Sequence, residues 1–194
     1  TAGTITTFAG NGTAVTIGDG GPAVNDGLNH PVSVLADRHG NVFIAEAYGR
    51  RVRKVDPTGK IVTVAGDGSY SFKGNGVSAT ETGFVDPISS VQVDREGNLY
   101  IACGSAQRVF KVDTAGILTT AAGSGPMGSG SGAYAGDGGP ATAARLNSPL
   151  GVAVDPSGII YIADSENNRV RKIGPPGARL SSLMGQSDVA FSEE

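Results

Sequence analysis

The 194-residue chain has no tryptophan, one cysteine and two histidines, and each shortage narrows what it can do. A single cysteine, Cys103, excludes an internal disulfide framework. No apolar run approaches the roughly 20 residues of a membrane-spanning helix, so membrane insertion is not expected. A formal net charge of −3 offers no broad attraction to nucleic acid or anionic lipid. Aromatic residues make up only 6% while glycine reaches 31 residues, a balance that suits short strands joined by tight turns. The chain opens at Thr1 with neither initiator methionine nor signal peptide, which reads as a processed chain or a fragment. Its compartment is left open, with an extracellular or periplasmic setting slightly favoured.

What is present is an internal repeat. Residues 5–60, 61–116 and 117–177 are three versions of one unit, opening on "ITTFAG", "IVTVAG" and "ILTTAAG". A fixed period of this length marks one supersecondary block that buries its apolar surface by stacking on its neighbours. Within each unit the apolar pattern has period two, as in Val32, Val34 and Ala36. Asp37, Asp94 and Asp155 close these runs, each followed three residues later by Gly40, Gly97 or Gly158. An aspartate that can bond its own turn, with a glycine free to take positive φ, makes a tight hairpin. The strands "VFIAE", "LYIAC" and "IYIAD" follow, then "RVRKV", "RVFKV" and "RVRKI", then the opening strand of the next unit. Four short antiparallel strands per unit describe an all-β propeller blade.

Residues 149–172, "PLGVAVDPSGIIYIADSENNRVRK", resemble the NHL repeat, and the "GDGGPA" loops at 18–23 and 136–141 resemble its long-loop bacterial variety. The resemblance covers residues 4–177 and rests on three copies in register. It implies three blades of a β-propeller that is usually six-bladed and used mostly for binding; a WD40 reading fits less well without tryptophan. Three blades cannot close a ring, since propellers have about four to eight. Residues 4–10 read as an outer strand that completes a preceding blade, and residues 178–194 as a last outer strand followed by a polar tail. The chain is therefore expected to be part of a longer propeller, or to form a homodimer in which three blades meet three.

Residues that could carry chemistry recur in register. Glu46, Cys103 and Asp164 stand nine residues after the hairpin aspartate, and Arg51, Arg108 and Arg169 fourteen after it. Glu46 with Arg51 and Asp164 with Arg169 are expected to form structural ion pairs, which Cys103 denies to the second unit. Asp19 and Asp137 sit in the "GDGGPA" loops and are expected to make Asx turns, with Asn75 in their place in the second unit. Calcium needs six to eight oxygens and each loop offers one carboxylate, so no metal or other cofactor is expected. The glycine-rich segment 123–139 is expected to be a mobile surface loop. Propeller lyases that resemble this family use several histidines, and lactonases need carboxylates converging on the channel. With only His30 and His39 in the chain, an enzyme of either kind would depend on blades outside this sequence.

Two binding readings remain. RNA binding would need a basic face, whereas the clusters 50–54 and 169–172 lie on strands that alternate between faces. A protein or glycan partner read by loops on a rigid scaffold fits better, as does a structural place in a larger assembly. Tyr48, Tyr70, Phe72, Lys73, Phe84 and Tyr134 are the candidate contacts, being aromatic or basic where the other units carry small residues.

Overall fold

A computed structural model describes residues 3–15, 18–85, 87–174 and 180–182. Its regular structure is strands and three single 3-10 turns, at Ala23–Asn25, Ala141–Ala143 and Ser165–Asn167. Three antiparallel sheets follow one another along the chain. The first is β1 (Pro31–Ala36), β2 (Val42–Glu46), β3 (Arg51–Val55) and β4 (Ile61–Ala65), paired in that order. The second is β6 (Ile88–Val93), β7 (Leu99–Cys103), β8 (Arg108–Val112) and β9 (Ile117–Ala122), with the short β5 (Val77–Ser78) laid on the outer edge of β9. The third is β10 (Pro149–Val154), β11 (Ile160–Asp164), β12 (Arg169–Ile173) and β13 (Leu180–Ser182). These sheets are blades 1, 2 and 3.

The sheets are offset from the sequence units, because the strand that opens each unit is the fourth strand of the blade before it. Ile61 pairs with Val55 and Leu118 with Val112. Residues 4–10 form no strand here, since the blade they would complete is not among the described residues and there is no ladder to join. Gly10 instead donates its N–H to the Ala23 carbonyl, and Ala9 packs on Ala23, Ile44, Val55 and Ile61. The tail beyond residue 182 lies outside the described residues.

Each blade is apolar on both faces. Every residue of β7 is buried: Ile101 and Cys103 face blade 1, while Tyr100 and Ala102 face blade 3. The blade 1–blade 2 layer sets Phe43, Ala45 and Val52 against Ile101, Phe110 and Leu118. The blade 2–blade 3 layer sets Tyr100, Ala102 and Val109 against Val152, Ile160 and Ile162. A strand buried on both sides reads as a continuous apolar run, as "LYIAC" does. The first pairing of every blade carries a bulge at one place, between Pro31 and Ser33, Ile88 and Ser90, and Pro149 and Gly151, which adds local twist.

The hairpin aspartates sit in turns that they also bond. Asp37 accepts from the N–H groups of His39 and Asn41, Asp94 from that of Asn98, and Asp155 from those of Ser157 and Ile159. Asp56 and Asp113 do the same in the β3–β4 and β8–β9 turns, where Gly59 and Gly116 take positive φ.

Phe84 is a core residue rather than a loop contact. It is fully buried, with its ring 5.8 Å from that of Phe110. It stands three residues before Pro87, where the other units have Leu28 before Pro31 and Leu146 before Pro149, apolar in all three. Phe84→Ala is expected to cost about 3–5 kcal/mol in urea unfolding, the range for emptying a buried phenylalanine site. An unchanged midpoint would remove Phe84 from the core.

Candidate functional site

The middle residue of the third strand decides how each blade is sealed. Arg171 of β12 is completely buried, and its guanidinium is fully used. Its Nε and Nη2 donate to Asp137, Nη2 also to the Ala135 carbonyl, and Nη1 to the Arg145 carbonyl and Asp164. Arg53 of β3 holds the same position in blade 1. Its Nη2 donates to Asp26 at 2.6 Å, to Asp19 at 3.1 Å and to the Gly18 carbonyl. Its Nη1 meets buried Glu46 at 3.7 Å. In blade 2 the whole set changes together: Phe110 replaces the arginine, Cys103 the acid and Asn75 the loop aspartate.

Two expectations are corrected by this arrangement. Glu46 and Asp164 pair with Arg53 and Arg171, not with Arg51 and Arg169. Arg51 and Arg169 stand directly opposite the acids in the ladder, but their guanidinium groups turn to backbone carbonyls, Gly49 and Asp67 for Arg51 and Asn167 for Arg169. Arg108 likewise donates to the Ser124 and Gly125 carbonyls and staples the next loop. The loop aspartates are clasps across the sheet rather than Asx turns. Asp19 accepts from the N–H and hydroxyl of Thr63 on β4 as well as from Arg53, and Asn75 accepts from Thr120 on β9.

The segment 123–139 is tied down instead of loose. Ser131 donates to the Pro126 and Gly128 carbonyls, and Gln107 reaches across from blade 2 to the Gly128 carbonyl and the Ser148 N–H. A side chain at Gly132 would run into Asn147, which explains the glycine there.

Among the described residues, a cleft on one face and an exposed strip on the other could receive a ligand. On the turn face, hairpins of all three blades enclose a cleft of about 280 Å³ whose titratable lining includes Asp37, His39, Asp94, Glu96 and Asp155. Asp37 and Asp94 spend both oxygens on their own turns, while Asp155 spends Oδ1 there and its Oδ2 accepts from the Tyr161 hydroxyl; Asp94 Oδ2 also accepts from the Tyr100 hydroxyl. On the loop face, His30, Tyr48, Arg50 and Tyr70 form a strip. The His30 and Tyr48 rings lie 4.5 Å apart, Arg50 donates to the Tyr48 carbonyl, and its guanidinium carbon sits 3.4 Å from the Tyr70 ring centre. Tyr48 and Tyr70 remain 55% and 64% exposed. In blade 3, Tyr134 is similarly exposed, with Arg169 4.0 Å from its ring centre and its hydroxyl donating to Asp137.

Of the six candidate contacts, Tyr48, Tyr70, Lys73 and Tyr134 are exposed on this face. Phe84 is core, and Phe72 is half-buried with its ring 5.1 Å from Phe110. His30 and Arg50 complete the strip without having been anticipated. Both take left-handed backbone conformations, φ 59° and 51°, and the signal lay in the repeat register, where Asn168 holds the place of Arg50 with φ 53° and histidine itself is enriched in that region.

Residues 146–173 match the NHL repeat family. The chain is 30% identical over 199 aligned residues to Teneurin-3 of Danio rerio, covering 95% of this chain but 7% of that protein. A gluconolactonase of Xanthomonas campestris superposes with a TM-score of 0.54 at 16% identity, over 80% of this chain and 47% of its own. A chain of a nidogen/laminin complex does so with 0.54 at 12% identity, over 81% and 49%. Residues 146–173 thus carry an NHL repeat, and the three sheets are folded as β-propeller blades. It spans a small fraction of the related Teneurin-3 and about half of each of these propeller chains.

Arg171→Ala would leave Asp164 and Asp137 without their cation and is expected to cost about 3–5 kcal/mol. Installing the blade 2 set, Arg171→Phe with Asp164→Cys and Asp137→Asn, is expected to recover most of that loss in urea unfolding. A triple variant no more stable than Arg171→Ala would show that the apolar solution cannot be moved between blades. Glu46 offers a second test. Desolvation raises its carboxyl above the ordinary 4.5, against the pull of the Asn29 N–H and Arg53. An acid raised in the fold contributes stability that is full below the unfolded value and fades as pH climbs through the folded one. Glu46→Gln should therefore flatten the change in unfolding free energy between pH 4.5 and neutrality. Parallel curves for wild type and variant would mean that the raised carboxyl has no part in stability.

Proposed function

We propose that the chain is a non-catalytic β-propeller platform that binds a protein partner through its loop face. The observation that carries this reading is the strip in which His30 stacks on Tyr48 and half-buried Arg50 stacks on Tyr70, leaving His30, Tyr48 and Tyr70 exposed. Aromatic and arginine side chains dominate binding energy at protein interfaces, and rings held in place lose little freedom on docking. The similarity to Teneurin-3 and to a chain of the nidogen/laminin complex supports the reading by analogy.

The gluconolactonase neighbour keeps an enzymatic alternative in view, with the turn-face cleft as its site. The cleft weighs against it on chemistry. A metal-dependent lactonase needs carboxylate oxygens free to coordinate, and both oxygens of Asp37 and Asp94 are engaged by their own turns, which leaves Asp155 Oδ2, bonded to the Tyr161 hydroxyl at 3.4 Å, as the cleft's one aspartate oxygen outside a turn. RNA recognition draws no support from the arginines either, because Arg53 and Arg171 are buried and Arg51, Arg108 and Arg169 bond backbone carbonyls.

The test is a Tyr48→Ala/Tyr70→Ala variant compared with wild type against protein partners captured by the wild-type chain and against an array of neutral and acidic glycans. Both positions are exposed, so the far-ultraviolet spectrum should not change. Affinity for the protein partner is expected to fall about tenfold or more, the effect of losing two interface hot spots. Equal retention by wild type and variant would remove the loop face, and binding confined to glycans would replace the protein partner.

A further inference from the structure

Blade 2 serves as an internal control for what the frame needs at the loop-face strip. Arg50, one residue ahead of β3, is matched by Gln107 ahead of β8, and both take the left-handed backbone conformation, φ 51° and 56°. Gln107 is 2% exposed and bridges two blades, its Nε2 donating to the Gly128 carbonyl and its Oε1 accepting from the Ser148 N–H. Arg50 builds no such bridge. Its guanidinium bonds the Tyr48 carbonyl in its own turn and, across the junction, stacks on the Tyr70 ring instead. The frame therefore does not require a cation at this place, since a neutral residue does the structural work in the next blade.

The charge is also unspent. Stacking covers a face of the guanidinium and leaves its edge. There Nε is buried without an acceptor, whereas Nη2, equally without one, is not buried. Lys73, three residues beyond Tyr70, is exposed, and among the described residues no carboxylate forms an ion pair with it or with Arg50. Arg51 gives its donors to the Gly49 and Asp67 carbonyls, which satisfies the hydrogen bonds without cancelling the charge. Asp67 is the acid beside this strip, and its Oδ1 accepts from the Ser69 N–H. Burial would raise its carboxyl, yet the bonds from Ser69 and the charges of Lys73 and Arg51 hold it below the ordinary 3.8. Glu81 follows β5 at the outer edge of blade 2, so one carboxylate stands among the charges of Arg50, Arg51 and Lys73.

We propose that the strip receives an acidic segment of a protein partner, whose aspartate or glutamate carboxylates bond the open edge of Arg50 and the Lys73 ammonium while its apolar atoms lie on Tyr48 and Tyr70. This partner chemistry rests on the protein-binding reading of the same strip. Carboxylates suit the planar edge of an arginine, and exposed rings supply the contact area that a charged segment alone lacks. A single-stranded nucleic acid also combines negative charge with flat groups, which makes it the competing occupant that the experiment must separate.

The probe is an array of fluorescein-labelled peptides graded from glutamate-rich to lysine-rich around the same leucines, titrated with the full chain and followed by fluorescence polarisation. Affinity is expected to rise with glutamate content and to weaken as salt is added. Arg50→Gln, which brings in the residue type of blade 2, and Lys73→Gln are each expected to weaken the glutamate-rich peptides about tenfold, the effect of losing one hydrogen bond to a charged group. Their far-ultraviolet spectra should match the wild type. Equal affinity for glutamate-rich and lysine-rich peptides overturns the proposal, as does binding that survives both substitutions. Tighter binding of a labelled oligouridylate than of any peptide overturns it in favour of nucleic acid. If the captured protein partner is lost by Tyr48→Ala/Tyr70→Ala but kept by Arg50→Gln/Lys73→Gln, the docking surface stands and its acidic partner falls.

Discussion

A four-stranded blade with apolar residues on both faces cannot stand alone in water, and most of this structure is a response to that constraint. Strand β7 is the clearest case, because alternate residues of one five-residue segment enter two different cores. The constraint fixes the short connections, which must return the chain to the next face within a turn or a compact loop. It also fixes the bulge repeated at the start of each blade, since neighbouring sheets need matching twist to stay in contact. The outer edge is handled separately. β5 covers β9, and in blade 1 the N–H of Gly20 and the carbonyl of Gly21 bond Ile61 on β4. Such covering leaves fewer unpaired backbone groups to recruit a foreign strand.

The same constraint allows two chemistries at the centre of a blade face. One wraps a guanidinium in carboxylates and carbonyls, the other fills the space with a phenylalanine ring beside a thiol. A buried ion cluster is weak evidence of stability, because desolvation cancels much of the attraction. Its distinct contribution here is positional: Asp19 and Asp137 bring the "GDGGPA" loops onto their blades by reaching the arginine beneath. Blade 1 shows how finely the set is balanced. Three carboxylates, Asp19, Asp26 and Glu46, approach one guanidinium, Glu46 at the longest distance of 3.7 Å, and burial pushes the Glu46 carboxyl up. A side chain at Gly49 would strike Glu46, at its Cβ first and then at its carboxylate; blade 3 combines the shorter Asp164 with Asn167, which donates to it.

The blades were legible in the sequence because their signals are local and repeated. Period-two alternation marks the strands, and aspartate three residues ahead of glycine marks the turns. The ion pairs were misassigned because counting along the chain finds the residue opposite Glu46, which is Arg51, and the ladder does place it there. It cannot tell that the next arginine on the same face, Arg53, points inward while Arg51 is drawn to carbonyls at the blade end. Phe84 was misread for a different reason. Compared with its loop neighbours it stands out, but compared with Leu28 and Leu146, three residues before the proline of each inner strand, it is one of a buried series. The conformation of Arg50 was legible only through the register, since Asn168 holds the same left-handed place in the third unit, and the strip itself depends on side-chain stacking that spacing along the chain does not give.

Frame and exposed loop face are not separate parts of this molecule. Asp137 accepts from buried Arg171 and also from the hydroxyl of exposed Tyr134, and that bond, first among the causes, raises the phenol above its usual range. The ring that meets solvent is therefore oriented by the same carboxylate that neutralises the core. Arg50 does the equivalent in blade 1, its backbone fixed at the end of the β2–β3 turn and its side chain stacked on Tyr70 from the following loop. Side chains held this way have little rotamer freedom left to lose when a partner docks. A surface built on the blade frame can be varied residue by residue at its tips, as the three loops vary here, while the arginine and phenylalanine centres beneath keep the tips in register.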